Sequence, residues 1–118
     1  MKTRERGAWA ESIALRYLGA RGLQLLTRNY RCLVGEIDII MKDNDTLVFI
    51  EVRYRASAEY GSPLETINHT KQGRILKTAG HYLLTHRTST AHVQCRFDVV
   101  VVTGAKASTE WIKAAFQA

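Results

Sequence analysis

Hydrophobic residues recur along this chain at two spacings, one typical of amphipathic helices and the other typical of β-strands. In chain order, the pattern predicts a helix over 7–21, strands over 23–31, 35–42 and 46–53, a long helix over 64–85 and a strand over 93–103. Loops are expected over 54–63 and 86–92, and the tail 104–118 fits either a short strand or a helical turn. The order α-β-β-β-α-β predicts an α/β fold in which a mixed β-sheet is flanked by helices.

The last predicted strand contains the run Val99-Val100-Val101-Val102, which is typical of a strand that is buried on both faces. The long helix before it is expected to act as a crossover that gives this strand a parallel neighbour. At 118 residues, the chain is expected to form a single domain, with a core over about 7–103 and the tail beyond it.

The charge and cysteine content narrow the classes of partner and compartment. Lys and Arg number 17 against 11 Asp and Glu, and the net charge of +6 favours an anionic partner, either a nucleic acid or a membrane surface. Cys32 and Cys95 lack the spacing of a zinc site or a disulfide framework, which favours free thiols in a reducing compartment. No signal peptide and no membrane span is visible, so we expect a cytoplasmic protein without membrane contact.

Two of the predicted strands are joined by a short polar link, Asp43-Asn44-Asp45-Thr46, which is typical of a hairpin turn. A two-residue loop at the centre of this link sets the register of the hairpin. Counting back along both strands then places Asp38 directly opposite Glu51, and Glu36 opposite Arg53. Directly opposed residues have Cβ atoms roughly 4.5–5.5 Å apart, where like charges are destabilising.

Two facing carboxylates in an apolar setting need a compensating positive charge. We therefore expect Asp38 and Glu51 to hold a hard divalent cation, Mg²⁺ or Mn²⁺, because all of the ligands are oxygens. Two-residue alternation places Glu36, Asp38 and Ile40 on one face of their strand. The alternative is a structural ladder of ion pairs in which Arg53 neutralises Glu36 and Glu51.

Other charged residues favour a nucleic-acid partner. Lys71 falls in the stripe of the long helix that should face the sheet, where it either extends to an edge or reaches a bound phosphate, and Arg74 lies nearby. Arg31 and Arg55 neighbour tyrosines, a combination that suits phosphate binding and base stacking. Glu11, at the margin of the first helix's apolar stripe, is either an ordinary solvated glutamate or a third carboxylate of the metal site.

Several short segments of the chain occur together in one known group of proteins. They are Ala10-Glu11, Asn29-Tyr30-Arg31, Gly35-Glu36-Ile37-Asp38, Phe49-Ile50-Glu51-Val52-Arg53-Tyr54-Arg55, Gly61-Ser62-Pro63, Lys71 and Arg96-Phe97-Asp98. In this combination the chain resembles the YraN family of small uncharacterised proteins, over about 7–102. That family is similar to the PD-(D/E)XK nucleases, and to archaeal Holliday-junction resolvases in particular. The resemblance implies a restriction-endonuclease-like core and metal-dependent hydrolysis of phosphodiesters in DNA, branched DNA included.

The resemblance also implies roles for individual residues. Asp38 matches the first metal-binding aspartate of the motif, and Glu51 matches its second acid, with the carbonyl of Val52 as a further ligand. Glu11 matches a helix glutamate that often joins the metal site. Arg53 occupies the motif's lysine position, so the implied catalytic residues are Asp38, Glu51 and Arg53. The implied metal ligands are Glu11, Asp38, Glu51 and Val52, and the expected nucleic-acid contacts are Arg31, Arg55, Lys71 and Arg74.

The arginine at position 53 departs from the family pattern. Arginine stays protonated in proteins and cannot act as a base, although it can stabilise negative charge that develops on a phosphate. Three functions therefore stay open: a DNA endonuclease, a nucleic-acid-binding protein that kept the fold without cleavage, and a protein-interaction domain with an incidental basic surface. Resolvase-like proteins act as dimers, so a homodimer is expected, and its symmetry would match that of a four-way junction.

Overall fold

The computed structural model describes residues 3–56, 67–86, 94–104 and 108–117. In chain order its elements are α1 (Thr3–Ala20), β1 (Gln24–Cys32), β2 (Gly35–Asp43), β3 (Thr46–Arg55), α2 (His69–Thr85), β4 (Gln94–Thr103) and β5 (Ser108–Phe116). The predicted α/β class and element order are confirmed, and the tail that the sequence left open forms the strand β5. Most of the two predicted loops, the segment Gly61-Ser62-Pro63 and the first residues of the predicted long helix lie outside the described residues.

The five strands form one mixed sheet in the order β1-β2-β3-β4-β5. The pairs β1–β2, β2–β3 and β4–β5 are antiparallel, whereas β3 and β4 run parallel. A parallel pair of consecutive strands requires a crossover connection, and α2 lies between them in the chain. The predicted parallel neighbour of the last core strand is thus β3.

The two helices cover opposite faces of the sheet, each over its own hydrophobic cluster. The α1 cluster contains Ala10, Ala14, Leu18, Leu23, Ile39, Met41, Val48, Ile50, Val100 and Val102. The α2 cluster contains Ile37, Ile40, Phe49, Ile75, Ala79, Tyr82 and Phe97. The valines of β4 pack alternately into the α1 cluster and into a third cluster that Val99 and Val101 form with Ile67. The prediction that this strand is buried on both faces is therefore confirmed.

The helix bounds differ from the predicted ones at their amino-terminal ends. Helix α1 begins at Thr3, earlier than predicted. The prediction missed its first turn because that turn is polar and has no apolar periodicity. Helix α2 begins at His69 instead of residue 64, because Asn68 is its N-cap and accepts a hydrogen bond from the Lys71 backbone N–H at 2.9 Å. At the other end of α1, Gly22 adopts φ of 96°, as expected for a glycine that terminates a helix.

Strand β5 pairs with β4 in an antiparallel ladder and is also fastened by the fully buried Asp98 of β4. The Asp98 carboxylate accepts hydrogen bonds from the Arg96 guanidinium, from Trp111 Nε1 at 2.9 Å and from the Ala114 backbone N–H at 2.9 Å. Arg96 also reaches Asp43 at 3.1 Å, at the β2–β3 turn. The Arg96-Phe97-Asp98 segment therefore stabilises the fold, because its charged groups bind one another and the backbone of the edge strand.

None of the helices in the described part of the chain is both long enough and apolar enough to cross a lipid bilayer.

Candidate active site

Strands β2 and β3 separate at Asp38. Their pairing follows the predicted register from the turn as far as Ile39 and Ile50. One step further on, the Val52 backbone N–H donates a hydrogen bond to Asp38 Oδ2 at 2.8 Å. The Val52 N–H thus binds the Asp38 carboxylate and not a backbone carbonyl of β2. The pairing of β2 with β3 ends at this point, so the two strands part at one end of the hairpin.

Side chains of β2 do not alternate simply at Asp38. Ile37 and Ile40 both pack in the α2 cluster, whereas Ile39 packs in the α1 cluster. On β1, a constant register places Asn29 opposite Asp38, and Asn29 adopts φ of 53°, in the left-handed region. The alternation predicted from the sequence is therefore wrong around Asp38, because the backbone is irregular there and the carboxylate turns toward β3.

The second predicted acid, Glu51, lies beside Asp38. Glu51 is 9% exposed, and its side chain shares a hydrogen bond with that of Asp38. On its other side, Lys71 Nζ lies 3.0 Å from Glu51 Oε2, so α2 brings a positive charge to the pair. The structure thus places two of the predicted site carboxylates and the predicted helix lysine in one group.

The ion pairs of the hairpin differ from the predicted ladder. Glu36 and Arg53 are not among the paired positions of β2 and β3, and Glu36 instead binds Arg31 of β1 at 2.9 Å. Glu51 binds Lys71. Arg53 lies two residues beyond Glu51 on β3 and pairs with Val101 across the parallel ladder. The positive partner of Glu36 is therefore Arg31 of β1, within the β1–β2 hairpin, and not Arg53 of β3.

Burial and a neighbouring carboxylate alter the acidity of Asp38. Desolvation, the hydrogen bond to Glu51 and the negative charge of Glu51 raise the pKa of Asp38 from 3.8 to about 9, against the opposing effect of the Val52 N–H. At neutral pH and without a bound cation, Asp38 therefore holds a proton that it shares with Glu51. A divalent cation placed between the two groups would remove this cost and displace the proton.

Glu11 approaches the pair from α1 without joining it. Arg28 lies 4.0 Å from Glu11, and Asn29 forms a hydrogen bond with its side chain. Burial raises the pKa of Glu11, while the positive charge of Arg28 acts in the opposite direction. The charge of Glu11 also contributes to the raised pKa of Asp38. Within the described residues, no three His, Cys, Asp or Glu side chains form a group that could hold a metal ion.

The contacts of Arg28 and Asn29 with Glu11 were not predicted from the sequence. Their position depends on the register of β1 against β2, and the link between those strands, Leu33-Val34, carries none of the usual turn residues. The register of that hairpin could not be counted from its turn as it could for the next one. The sequence feature that pointed to this part of β1 was the segment Asn29-Tyr30-Arg31, which belongs to the family resemblance.

The predicted nucleic-acid contacts occupy different environments. Arg74 is exposed, on the same half of α2 as Lys71. Arg31 is exposed beside the β1–β2 turn, where it binds Glu36. Arg55 is partly buried, and its Nε donates to Thr103 Oγ1 at 3.0 Å while its guanidinium lies 3.9 Å from Glu110. Of these residues, Lys71 contacts the acidic pair, Arg31 and Arg74 are exposed near the β1–β2 turn, and Arg55 ties β3 to β4 and β5.

Comparison with known sequences relates most of this chain to one family. The model of "Uncharacterised protein family UPF0102" matches residues 10–102, which include every predicted site residue. The chain belongs to family UPF0102. Strand β5 lies beyond the matched residues.

Similar members of family UPF0102 cover nearly the whole chain. A UPF0102 protein of Psychromonas ingrahamii is 48% identical over 112 residues, which are 95% of this chain and 89% of that protein. A UPF0102 protein of Nitrosococcus oceani is 47% identical over 117 residues, 97% of this chain and 93% of the relative. One from Methylococcus capsulatus is 47% identical over 114 residues, 95% and 90% of the two chains. The names of these proteins state no activity.

Proposed function

We propose that this UPF0102 protein is a metal-dependent endonuclease that hydrolyses phosphodiester bonds in DNA, with branched DNA as its expected substrate. The observation that carries the proposal is the contact between Asp38 and Glu51 at the opening between β2 and β3. Two adjacent strands bring their carboxylates together where the sheet parts, at a large electrostatic cost. That cost is accounted for if the pair binds a cation during function.

The donor set fits a hard divalent ion. Asp38 and Glu51 offer carboxylate oxygens, and the carbonyl of Val52 is the further ligand expected there. Mg²⁺ in proteins is commonly held by one or two carboxylates, with water and substrate phosphate completing its shell, so a third protein carboxylate is not required. Such an ion would supply a hydroxide nucleophile and stabilise the leaving oxygen. Glu11 would act on the site through its charge, unless it moves away from Arg28.

Lys71 and Arg53 would act on the substrate phosphate. Lys71 is 39% exposed and already reaches Glu51, so its ammonium lies at the boundary between the acidic pair and solvent. A phosphate that binds at this boundary would be attracted by the Lys71 ammonium, which in the structure neutralises Glu51. Arg53 lies two residues further along β3 and, as a permanent cation, would stabilise negative charge on the reacting phosphate without taking a proton.

Cleavage assays test this proposal. The wild-type protein is incubated with a labelled four-way junction, and with a linear duplex of the same sequence, in Mn²⁺ or in EDTA. We expect Mn²⁺-dependent cleavage that falls to the protein-free background in Glu51→Gln. The matched control is Asp45→Asn, an exposed acid at the far turn of the same hairpin, which should cut like the wild type. Equal cleavage by Glu51→Gln and the wild type would refute the proposed site.

A second candidate is a nucleic-acid-binding protein of the same fold that does not cleave. Arginine at position 53 favours it, as does the absence of a group of three potential metal-ligating side chains in the described residues. The variant Arg53→Lys separates the two candidates. If the wild type cuts, the binding-only function is wrong; if only Arg53→Lys cuts, the chain is a binding protein derived from an enzyme.

A protein-interaction domain is the remaining alternative, and salt dependence distinguishes it. Binding to phosphates releases condensed counterions, so the affinity for DNA should fall steeply with salt concentration. An affinity that does not change between 50 mM and 200 mM salt would favour an incidental basic surface.

Sedimentation with and without a four-way junction tests the expected homodimer in the same samples.

A further inference from the structure

The turn between β1 and β2 presents the most exposed large hydrophobic side chain of the described residues. Leu33 is fully exposed, at 106%, and Val34 is 44% exposed. Cys32 pairs with Gly35, so these two residues make up the whole turn. Two-residue hairpin turns favour Asn, Asp and Gly, which means that turn chemistry does not explain an apolar pair at this position.

This turn is braced against α2. A Cβ added at Gly35, whose φ is 157°, would lie 3.0 Å from Thr78 Oγ1 and 3.6 Å from Arg74 Cβ. Thr78 is itself fixed, because its hydroxyl donates to the Arg74 carbonyl at 2.7 Å. The backbone that follows the turn is therefore in direct contact with a helix, and Leu33 projects from a supported hairpin.

The turn lies at the same end of β2 as the acidic pair. Leu33 and Val34 precede Asp38 by five and four residues, which corresponds to at most roughly 14–17 Å at about 3.4 Å per strand residue. The exposed Arg74 and Arg31, the latter ion-paired with Glu36 at 2.9 Å, flank the turn. An apolar tip between cations, close to a site for phosphate, complements a surface that is apolar between its bases and anionic along its backbone.

We propose that Leu33 inserts as an apolar wedge between bases at the branch point of the DNA, an inference that rests on the proposed function. Proteins that kink DNA insert leucine and similar side chains between base steps, while neighbouring cations hold the phosphates. A branch point is the site where such insertion disrupts the least stacking, because the helices that meet there are already interrupted. The wedge would position the branch within roughly four or five base steps of the acidic pair, at about 3.4 Å per step.

Fluorescence of 2-aminopurine tests the wedge. The base analogue is placed at the branch point of a four-way junction or within a linear duplex, and each is titrated in EDTA with four proteins. These are the wild type, Leu33→Ser, Leu33→Phe and the control Leu84→Ser, which alters another exposed leucine, on α2. Anisotropy gives the affinity for each DNA, and sedimentation gives the oligomeric state.

We expect the wild type, Leu33→Phe and Leu84→Ser to raise the branch-point fluorescence. Leu33→Ser should lose that rise and about tenfold in junction affinity, with unchanged affinity for the duplex. A rise that persists in Leu33→Ser overturns the wedge but leaves DNA binding intact. If Leu33→Ser instead converts a dimer to a monomer and binds the junction normally, the tip is a contact between copies and the wedge is wrong. Failure of the wild type to bind either DNA refutes the proposed function, and the wedge with it.

Discussion

Lys71 Nζ lies 3.0 Å from Glu51 Oε2, so the crossover helix supplies the counter-charge for an acid on the central strand β3. Asp38, which is hydrogen-bonded to the same glutamate, has its pKa raised to about 9 and is protonated at neutral pH. The group formed by Lys71, Glu51 and Asp38 is therefore close to electrically neutral without a metal ion. This explains how the fold keeps two adjacent carboxyl groups at the edge of its core, and the cation that we propose would replace the proton.

Removal of the Lys71 charge should destabilise the protein. The substitution Lys71→Met leaves the buried Glu51 without its ammonium partner, and we expect a loss of about 1 kcal/mol, since the lysine is partly solvated. Urea denaturation at pH 7 in EDTA measures it. Lys77→Met, at an exposed position of the same helix, is the control and should change stability by less than about 0.5 kcal/mol. Equal losses in the two variants would mean that the ion pair does not stabilise the fold.

The pH dependence of stability should reveal the proton on Asp38. Its pKa is raised on folding, from 3.8 to about 9, so the folded state binds the proton more tightly than the unfolded state. The stability that this proton contributes is present at low pH and is lost as the pH rises from about 4 to about 9. The variant Asp38→Asn lacks this titration. In EDTA, the wild type should therefore lose stability relative to Asp38→Asn between pH 5 and pH 9; parallel profiles would contradict the raised pKa.

Substitution of Asp98 tests its structural role. Asp98→Ala would leave the Arg96 guanidinium, the Trp111 N–H and the Ala114 N–H without their shared acceptor in a buried setting. We expect a loss of about 3–5 kcal/mol, together with loss of β5 from the sheet. Chemical denaturation gives the first, and hydrogen exchange of the β5 amides gives the second. Asp45→Ala, an exposed acid, is the control; if Asp98→Ala behaves like it, this network is not a stabilising one.

The order of the helices and strands was predictable from the sequence, because hydrophobic periodicity and turn residues depend on local structure. The polar link at 43–46 fixed the β2–β3 register, and the four consecutive valines identified a strand covered on both faces. What the sequence could not provide depends on tertiary contacts. The strand β5 has little apolar alternation, and its attachment to β4 includes hydrogen bonds to the buried carboxylate of Asp98.

The candidate site was predictable in its residues more than in its geometry. The register counted from the turn predicted that Asp38 and Glu51 lie together, and helical spacing predicted that Lys71 faces the sheet. The structure shows both contacts. The irregular backbone at Asn29 and Asp38 was not predictable, because simple alternation assumes that every strand residue keeps extended geometry. The partner of Glu36 was also missed, since Arg31 belongs to a hairpin whose turn gives no register signal.

Calorimetric titration of Mn²⁺ tests the central claim, that Asp38 and Glu51 form a cation site, most directly. The wild type, Asp38→Asn and the control Asp45→Asn are titrated at pH 7 in two buffers of different ionisation enthalpy, which reports proton release. We predict that the wild type and Asp45→Asn bind Mn²⁺ with release of a proton from the acidic pair, and that Asp38→Asn does not bind. Equal binding by all three proteins, or binding by none of them, would contradict the account.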